Sequence, residues 1–231
     1  MARGRAPGNE TQREQILAQA AQLFALQGYT ATSMNQVAQA CGVSKPSLYH
    51  YVRDKYQLLV EIAEEHVTQL KVLAAQAQAR AKAPHVPPLP PDPQAHLRDL
   101  IGSFVDAYAS SRDAHRVLTE DVKFLAPADR ARLLAGQREV VDAFAGAIAA
   151  ARPDLRGSEL QKPLTMLLFG MMNWMFTWLQ PGGRLTHAAM APVVADLFLG
   201  GLHAVHVAAP AQPVAASRAL PAARPSTRRR A

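Results

Sequence analysis

Apolar side chains recur along this chain every three or four residues, the spacing of one helical face, and strand-like alternation is scarce. Ile16, Ala20, Leu23 and Phe24 share a face of a helix predicted over Thr11 to Gln27, and Gly28 is a natural C-terminal stop. Ser33 is placed to cap a short helix to Ala40, with Met34, Val37 and Ala38 inward. The turn Cys41-Gly42-Val43-Ser44 follows, in which Gly42 can take positive φ. Ser44 can cap a third helix, Lys45 to Tyr51, with Pro46 tolerated in its first turn. From Asp54 a longer helix reaches about Arg80 along the stripe Leu58, Leu59, Ile62, His66, Leu70 and Leu73.

The prolines from Ala83 to Pro93 forbid helix, because each lacks an N–H and crowds the preceding turn. That stretch reads as a stiff linker. Helical spacing resumes with Leu97, Leu100, Ile101, Phe104, Val105 and Tyr108. Further helices are predicted over about Ala114–Phe124, Ala128–Ala151 (Leu134, Val141, Phe144 and Ile148 inward), Gly157–Leu179 and His187–Val207, the last with Pro192 in its early turns. The fold class is all-α. The expected divisions are a flexible arm over 1–10, a helix-turn-helix over 11–57, a connecting helix over 58–82, the linker over 83–95, a ligand-binding and dimerisation domain over 96–209, and a disordered tail over 210–231.

Composition narrows the chemistry. An apolar fraction of 49% can build a core, and the single cysteine, Cys41, excludes a disulfide framework and a cysteine-based zinc finger. Cys41 itself reads as an inert small residue. The formal net charge of +7 points to a polyanion, but its distribution matters more. Residues 1–57 hold six basic and three acidic groups, residues 58–209 hold 14 and 15, and the tail holds five arginines and no acid. Most of the excess therefore lies outside the predicted helix-turn-helix. No apolar signal segment follows the N-terminus, and the run Leu164 to Leu179 is 16 residues, short of the roughly 20 that cross a bilayer, so a cytoplasmic protein without membrane contact is expected.

Two short helices joined by a glycine turn fit either a plain helical hairpin or a DNA-binding helix-turn-helix. For DNA, the second helix offers Ser44, Lys45, Pro46, Ser47, Tyr49 and His50, backed by Val43 and Leu48. Tyr49 would be half core in one reading and a contact in the other. Thr32 and Ser33, at the N-terminus of the preceding helix, make a phosphate seat, and Lys55 is placed to reach another phosphate. Arg3 and Arg5 would track the backbone from the arm.

The run Gly42-Val43-Ser44-Lys45-Pro46-Ser47-Leu48-Tyr49-His50-Tyr51-Val52-Arg53-Asp54-Lys55-Tyr56-Gln57-Leu58-Leu59 resembles the DNA-binding signature of the tetracycline-repressor (TetR) family. Ile16-Leu17, Phe24 to Tyr29 and Thr32 to Ala38 are similar to its first two helices, and Tyr51 stands where the family usually has Phe. The resemblance implies an all-helical homodimer, not an enzyme, that binds a palindromic double-stranded operator and is released by a small inducer as a repressor, although an activator of the same family would share all these residues.

A second constellation holds both tryptophans and four of the seven methionines between Met166 and Trp178. It admits two readings: core or dimer interface, or the wall of an apolar ligand pocket. Phe169, Gly170, Asn173, Trp174, Thr177, Trp178 and Arg184 are the candidate ligand residues, Asn173 because a buried amide needs a partner. The stretch is similar to one in TetR-type regulators that respond to acyl-CoA thioesters. That resemblance implies an acyl group among the apolar residues and a CoA phosphate at Arg184, unless Arg184 only caps its helix. The last two long helices are the expected dimer surface. His203 and His206 lack a third ligand of clear spacing, so neither metal nor cofactor is expected, and no catalytic set is found.

Overall fold

In the computed structural model, residues 7–83, 92–179 and 182–206 are described, and among them there is helix and no strand. The arm residues Arg3 and Arg5, most of the proline linker, Gln180-Pro181, Val207 and the basic tail lie outside the described residues. Helix α1 spans Pro7–Gln27, α2 Met34–Ala40, α3 Lys45–Leu48 and α4 Lys55–Lys82; then come α5 Pro93–Ser110, α6 Arg112–Glu120, α7 Pro127–Ala151, α8 Gln161–Asn173, α9 Met175–Trp178 and α10 His187–Ala204. Short 3-10 turns lie at Val122–Phe124 and Pro153–Leu155.

The punctuation is local chemistry. Gly28 and Gly42 both take positive φ, +88° and +65°, which L side chains rarely adopt. Ser33 and its partner Gln36 form a reciprocal capping box at α2, Ser44 caps α3, and Asp54 caps α4 by accepting from the Gln57 N–H. Asp92 caps α5 through the N–H groups of Gln94 and Ala95. Pro93 occupies the first helical position, where its missing N–H costs nothing, so the last three residues of the expected linker, 93–95, are helical.

Two hydrophobic clusters form. One joins α4 and α5 to α7, α8 and α10 around Phe104, Phe144 and Ile148. The other holds Ile16, Phe24, Val37, Leu48, Leu58 and Leu59 of the helix-turn-helix, and also Val117 and Leu118 of α6, Leu125, and Leu133 of α7. Packing therefore does not divide at residue 57. The α6 segment shares a core with the N-terminal head.

Three predicted details change. The inward face of α7 is Leu133, Val140, Phe144, Ala147 and Ile148, so Leu134 is exposed and Val141 only half-buried. Two adjacent leucines satisfy helical spacing equally, and periodicity alone cannot choose between them. The third helix is one turn shorter than predicted, since the N–H groups of His50 and Tyr51 close tight turns onto Ser47 and Leu48 (3.1 and 3.0 Å). The helix predicted over Gly157–Leu179 is broken at Trp174, whose carbonyl accepts from both the Thr177 hydroxyl (2.7 Å) and the Thr177 N–H (3.1 Å).

Gly136 marks a close approach of α7 to α4. A Cβ built there would sit 2.8 Å from Cγ1 of Val67. Gly136→Val is expected to destabilise the fold by about 1–3 kcal/mol through overpacking against a stiff buried valine. Gly136→Ala gains roughly 1 kcal/mol of helix propensity against a smaller clash. Urea unfolding checks this, and a neutral Val variant would show that α4 and α7 separate freely.

Candidate nucleic-acid interface and effector surfaces

The reading head is built on α3. Leu48 is fully buried and anchors the helix in the core of the head, while Ser44, Lys45, Pro46 and His50 are exposed and Ser47 is half-buried. Tyr49 is 45% exposed, which sets it outside the core and resolves its two readings toward the surface. Ser44 Oγ accepts from the Ser47 N–H (3.2 Å), so its own hydroxyl proton remains available to an acceptor. At α2 the capping box takes the N–H groups of Ser33 and Gln36, and those of Met34 and Asn35 have no acceptor within the helix. That end can still seat a phosphate beside Ser33.

Two expected contacts are not available. Thr32 is buried, and its hydroxyl donates toward the carbonyl of Gly28 (2.9 Å) and accepts from Gln27 Nε2 (3.0 Å). Its side chain closes the turn after α1 and does not face solvent. Lys55 points back into the same turn. Its Nζ donates to the carbonyls of Tyr29 (2.8 Å), Thr30 (3.2 Å) and Thr32 (2.8 Å) and lies 4.5 Å from the Tyr29 ring centre. An ammonium has three N–H groups, and all three have protein acceptors. Lys55 thus ties the α1–α2 turn to the start of α4. Lys45 is the exposed cation on the reading helix.

The seven candidate ligand residues do not converge. Phe169 is buried in the core, edge-on to Phe144 at 4.8 Å. Thr177 is exposed and its hydroxyl is held by Trp174, and Arg184 is exposed after the segment around Pro181. Gly170, Trp174 and Trp178 line an open groove of about 820 Å³ between α8 and α10 with Met166, Leu167 and Leu197. Trp174 is 67% exposed and Leu167 and Leu197 are each 64% exposed, so this aromatic wall faces outward. The shared i, i+4 face was legible, but its direction follows from the break at Trp174. Asn173 Oδ1 is buried and lacks a hydrogen-bond partner.

Sequence reasoning missed two couplings between the head and the rest. Tyr56, beside Lys55, donates its hydroxyl to Asp129 and accepts from the Ala126 N–H (2.8 Å), and Arg132 bridges Asp129 (2.6 Å) and Glu64 (3.0 Å). This pins α7 to α4, and the Tyr56 hydrogen bond holds the Asp129 carboxyl below its ordinary range. The second coupling is a buried histidine pair. His66 Nε2 of α4 lies 3.2 Å from His115 Nδ1 of α6, and His115 stacks on Tyr108 of α5 at 3.8 Å. Burial lowers His66 to about 4, and burial with the neighbouring His66 lowers His115 to about 3, so both rings are neutral near pH 7. The only sequence signal was a titratable residue inside the apolar stripe of α4.

The chain matches two family models. One described as bacterial regulatory proteins of the tetR family covers residues 16–62, and one described as a tetracyclin repressor-like C-terminal domain covers 90–202. It is similar to a crystal structure of a TetR-family transcriptional regulator from Bordetella parapertussis 12822, with 33% identity, a TM-score of 0.75, and coverage of 85% of this chain and 98% of that one. The transcriptional repressor KstR2 of Rhodococcus jostii (strain RHA1) is 26% identical over 86% of this chain and 95% of its own length. AibR in its apo form is 26% identical with a TM-score of 0.67, covering 80% of this chain and 97% of that one. AibR has also been solved with isovaleryl coenzyme A and operator DNA, and that structure is 24% identical to this chain with a TM-score of 0.67.

Proposed function

This chain belongs to the TetR family of DNA-binding transcription regulators, and from that premise we propose that it is a repressor which binds an inverted-repeat operator as a homodimer and is released by an acyl-CoA ester. The observation that carries the operator reading is the exposed face of α3, where Ser44, Lys45, Pro46, Ser47, Tyr49 and His50 stand on a helix anchored by Leu48. Ser33 adds a phosphate contact at α2. Two such heads, one helical turn of DNA apart, read the two half-sites of an inverted repeat.

The groove between α8 and α10 supports the dimer. Met166, Leu167, Trp174, Trp178, Val193 and Leu197 are all exposed there, and a cluster of exposed apolar side chains of this kind marks an interaction surface. A second copy of the same two helices is self-complementary to it, as a two-fold interface requires. Among the described residues no helix is long and apolar enough to cross a membrane. A DNA partner makes the cytoplasm the working compartment.

Support for the inducer class is the run Phe169 to Trp178, the unpartnered Asn173 Oδ1, and the likeness to AibR, whose complex holds isovaleryl coenzyme A. With Phe169 in the core and Trp174 outside it, the acyl group would enter from the α8 side near Asn173, and Arg184 would meet a CoA phosphate. A ligand releases DNA only if it binds the non-DNA conformation more tightly. The links through Tyr56–Asp129 and His66–His115 give it elements to act on.

A mobility-shift assay on an operator fragment selected from random DNA tests the whole reading. Acyl-CoA esters should release the DNA while the matching free acids do not; equal release by the free acids would leave a non-CoA hydrophobic inducer. The doublet Leu167→Asp, Leu197→Asp should run as a monomer and bind the operator about 100-fold more weakly, because avidity is lost. An intact dimer would move the interface elsewhere.

A further inference from the structure

His66 lies at the meeting of α1, α4, α5 and α6, and it is 2% exposed with Nδ1 lacking any hydrogen-bond partner. It nevertheless lines a groove of about 530 Å³ bounded by Glu14 and Leu17 of α1, Ile62 and Glu65 of α4, and Asp113 of α6. A second groove of about 670 Å³ reaches the same histidine from the α4–α5 side, past Asp106. The smaller groove carries three carboxylates, Glu14, Glu65 and Asp113, against one basic side chain, Arg112. None of the three carboxylates forms an ion pair among the described residues. Beyond them lies an apolar floor of Leu17, Ala21 and Ile62.

We propose that this groove is a binding site for an organic monocation with a short apolar body, separate from the acyl-CoA inducer site. The ammonium group sits among Glu14, Glu65 and Asp113, where the carboxylates outnumber the single arginine. One of its N–H groups donates to His66 Nδ1. That requires His66 to carry its proton on Nε2, where it donates to His115 Nδ1, so binding selects one tautomer of the pair. The carbon body covers Leu17 and Ile62. A CoA ester, with several negative charges, is repelled by the same carboxylates. An occupant here touches α1 of the head and α6 of the body together.

The test uses the full chain at pH 7.5 and fixed ionic strength, titrated with phenethylamine and with phenylacetate, which share a ring and differ in charge. Phenethylamine should saturate at one per chain in calorimetry, and phenylacetate should not bind. The doublet Glu14→Gln, Glu65→Gln changes two exposed side chains and leaves the core intact; it should weaken phenethylamine by about tenfold or more. In ¹⁵N spectra, His66 should move to the Nε2–H tautomer as the amine is added. Absence of amine binding, equal binding of phenylacetate, an unchanged affinity in the doublet, or an unmoved His66 signal would each overturn the proposal.

Discussion

Lys55→Met is expected to destabilise the protein by about 2–4 kcal/mol and to weaken operator binding without changing how the residual binding depends on salt. The ammonium gives all three of its protons to carbonyls of one turn, at 2.8, 3.2 and 2.8 Å. Hydrogen bonds to a charged group contribute roughly 1.5–3 kcal/mol each, and three that share one nitrogen do not add in full. Methionine keeps the aliphatic stem and removes only the donors. Arginine should not restore the site, since a planar fork cannot meet three carbonyls converging on one point. The turn these bonds close carries Thr32 and leads directly into the cap of α2, so loosening it misplaces the head. Lys45→Ala gives the contrast. Lys45 is exposed, so stability should change by less than about 0.5 kcal/mol while the salt slope falls by about one phosphate contact. Urea unfolding together with operator titrations across salt separates the two lysines. A stable Lys55→Met variant with a flattened slope would return Lys55 to the phosphate contacts.

The head was legible because its signals are local. A glycine at positive φ, a serine three residues before the N–H it caps, and an apolar residue every third or fourth position each act within one or two turns. The observed α2 over Met34–Ala40, the caps Ser33, Ser44 and Asp54, and both positive-φ glycines follow from them. What the sequence did not disclose is long-range. Lys55 lies 26 positions from Tyr29, Tyr56 73 positions from Asp129, and His66 49 positions from His115. No spacing rule connects such residues until the helices are packed. The outward turn of Trp174 depends likewise on a local break that periodicity treats as continuous helix. The same long-range contacts tie the two halves together: α6 places Val117 and Leu118 in the core of the head and His115 against Tyr108, and Phe124 packs on Tyr29 at 5.3 Å. A shift of α6 relative to α4 therefore reaches the turn that Lys55 holds.

Stability is expected to fall by about 3 kcal/mol or more as the pH drops from 6.5 toward 4, with the histidine pair as the cause. An unfolded imidazole takes a proton near pH 6.5, whereas burial holds His66 unprotonated down to about 4 and His115 to about 3. Between those limits the unfolded chain binds more protons than the folded one, so stability rises with pH and is complete above 6.5. At about 1.4 kcal/mol per pH unit, the 2.5-unit window of His66 alone sets the scale, and His115 adds to it less than independently because the two rings share one hydrogen bond. Tyr108, pushed up by burial, stays neutral throughout, and Glu14, Glu65, Asp106, Arg112 and Asp113 line the grooves that reach His66. The lowered carboxyls of Asp129 and Asp154 lose their partners below their ordinary range near 3.8, in a separate and more acidic window. The change in urea-unfolding free energy with pH between 6 and 4.5 should therefore correspond to at least one proton, with His96 and His187, also lowered by burial, adding to the pair. His115→Phe keeps a ring against Tyr108 and removes one titrating group, so its slope should fall below that of the wild type by up to one proton. A wild-type curve flat across that range would mean that the pair takes up a proton inside the fold.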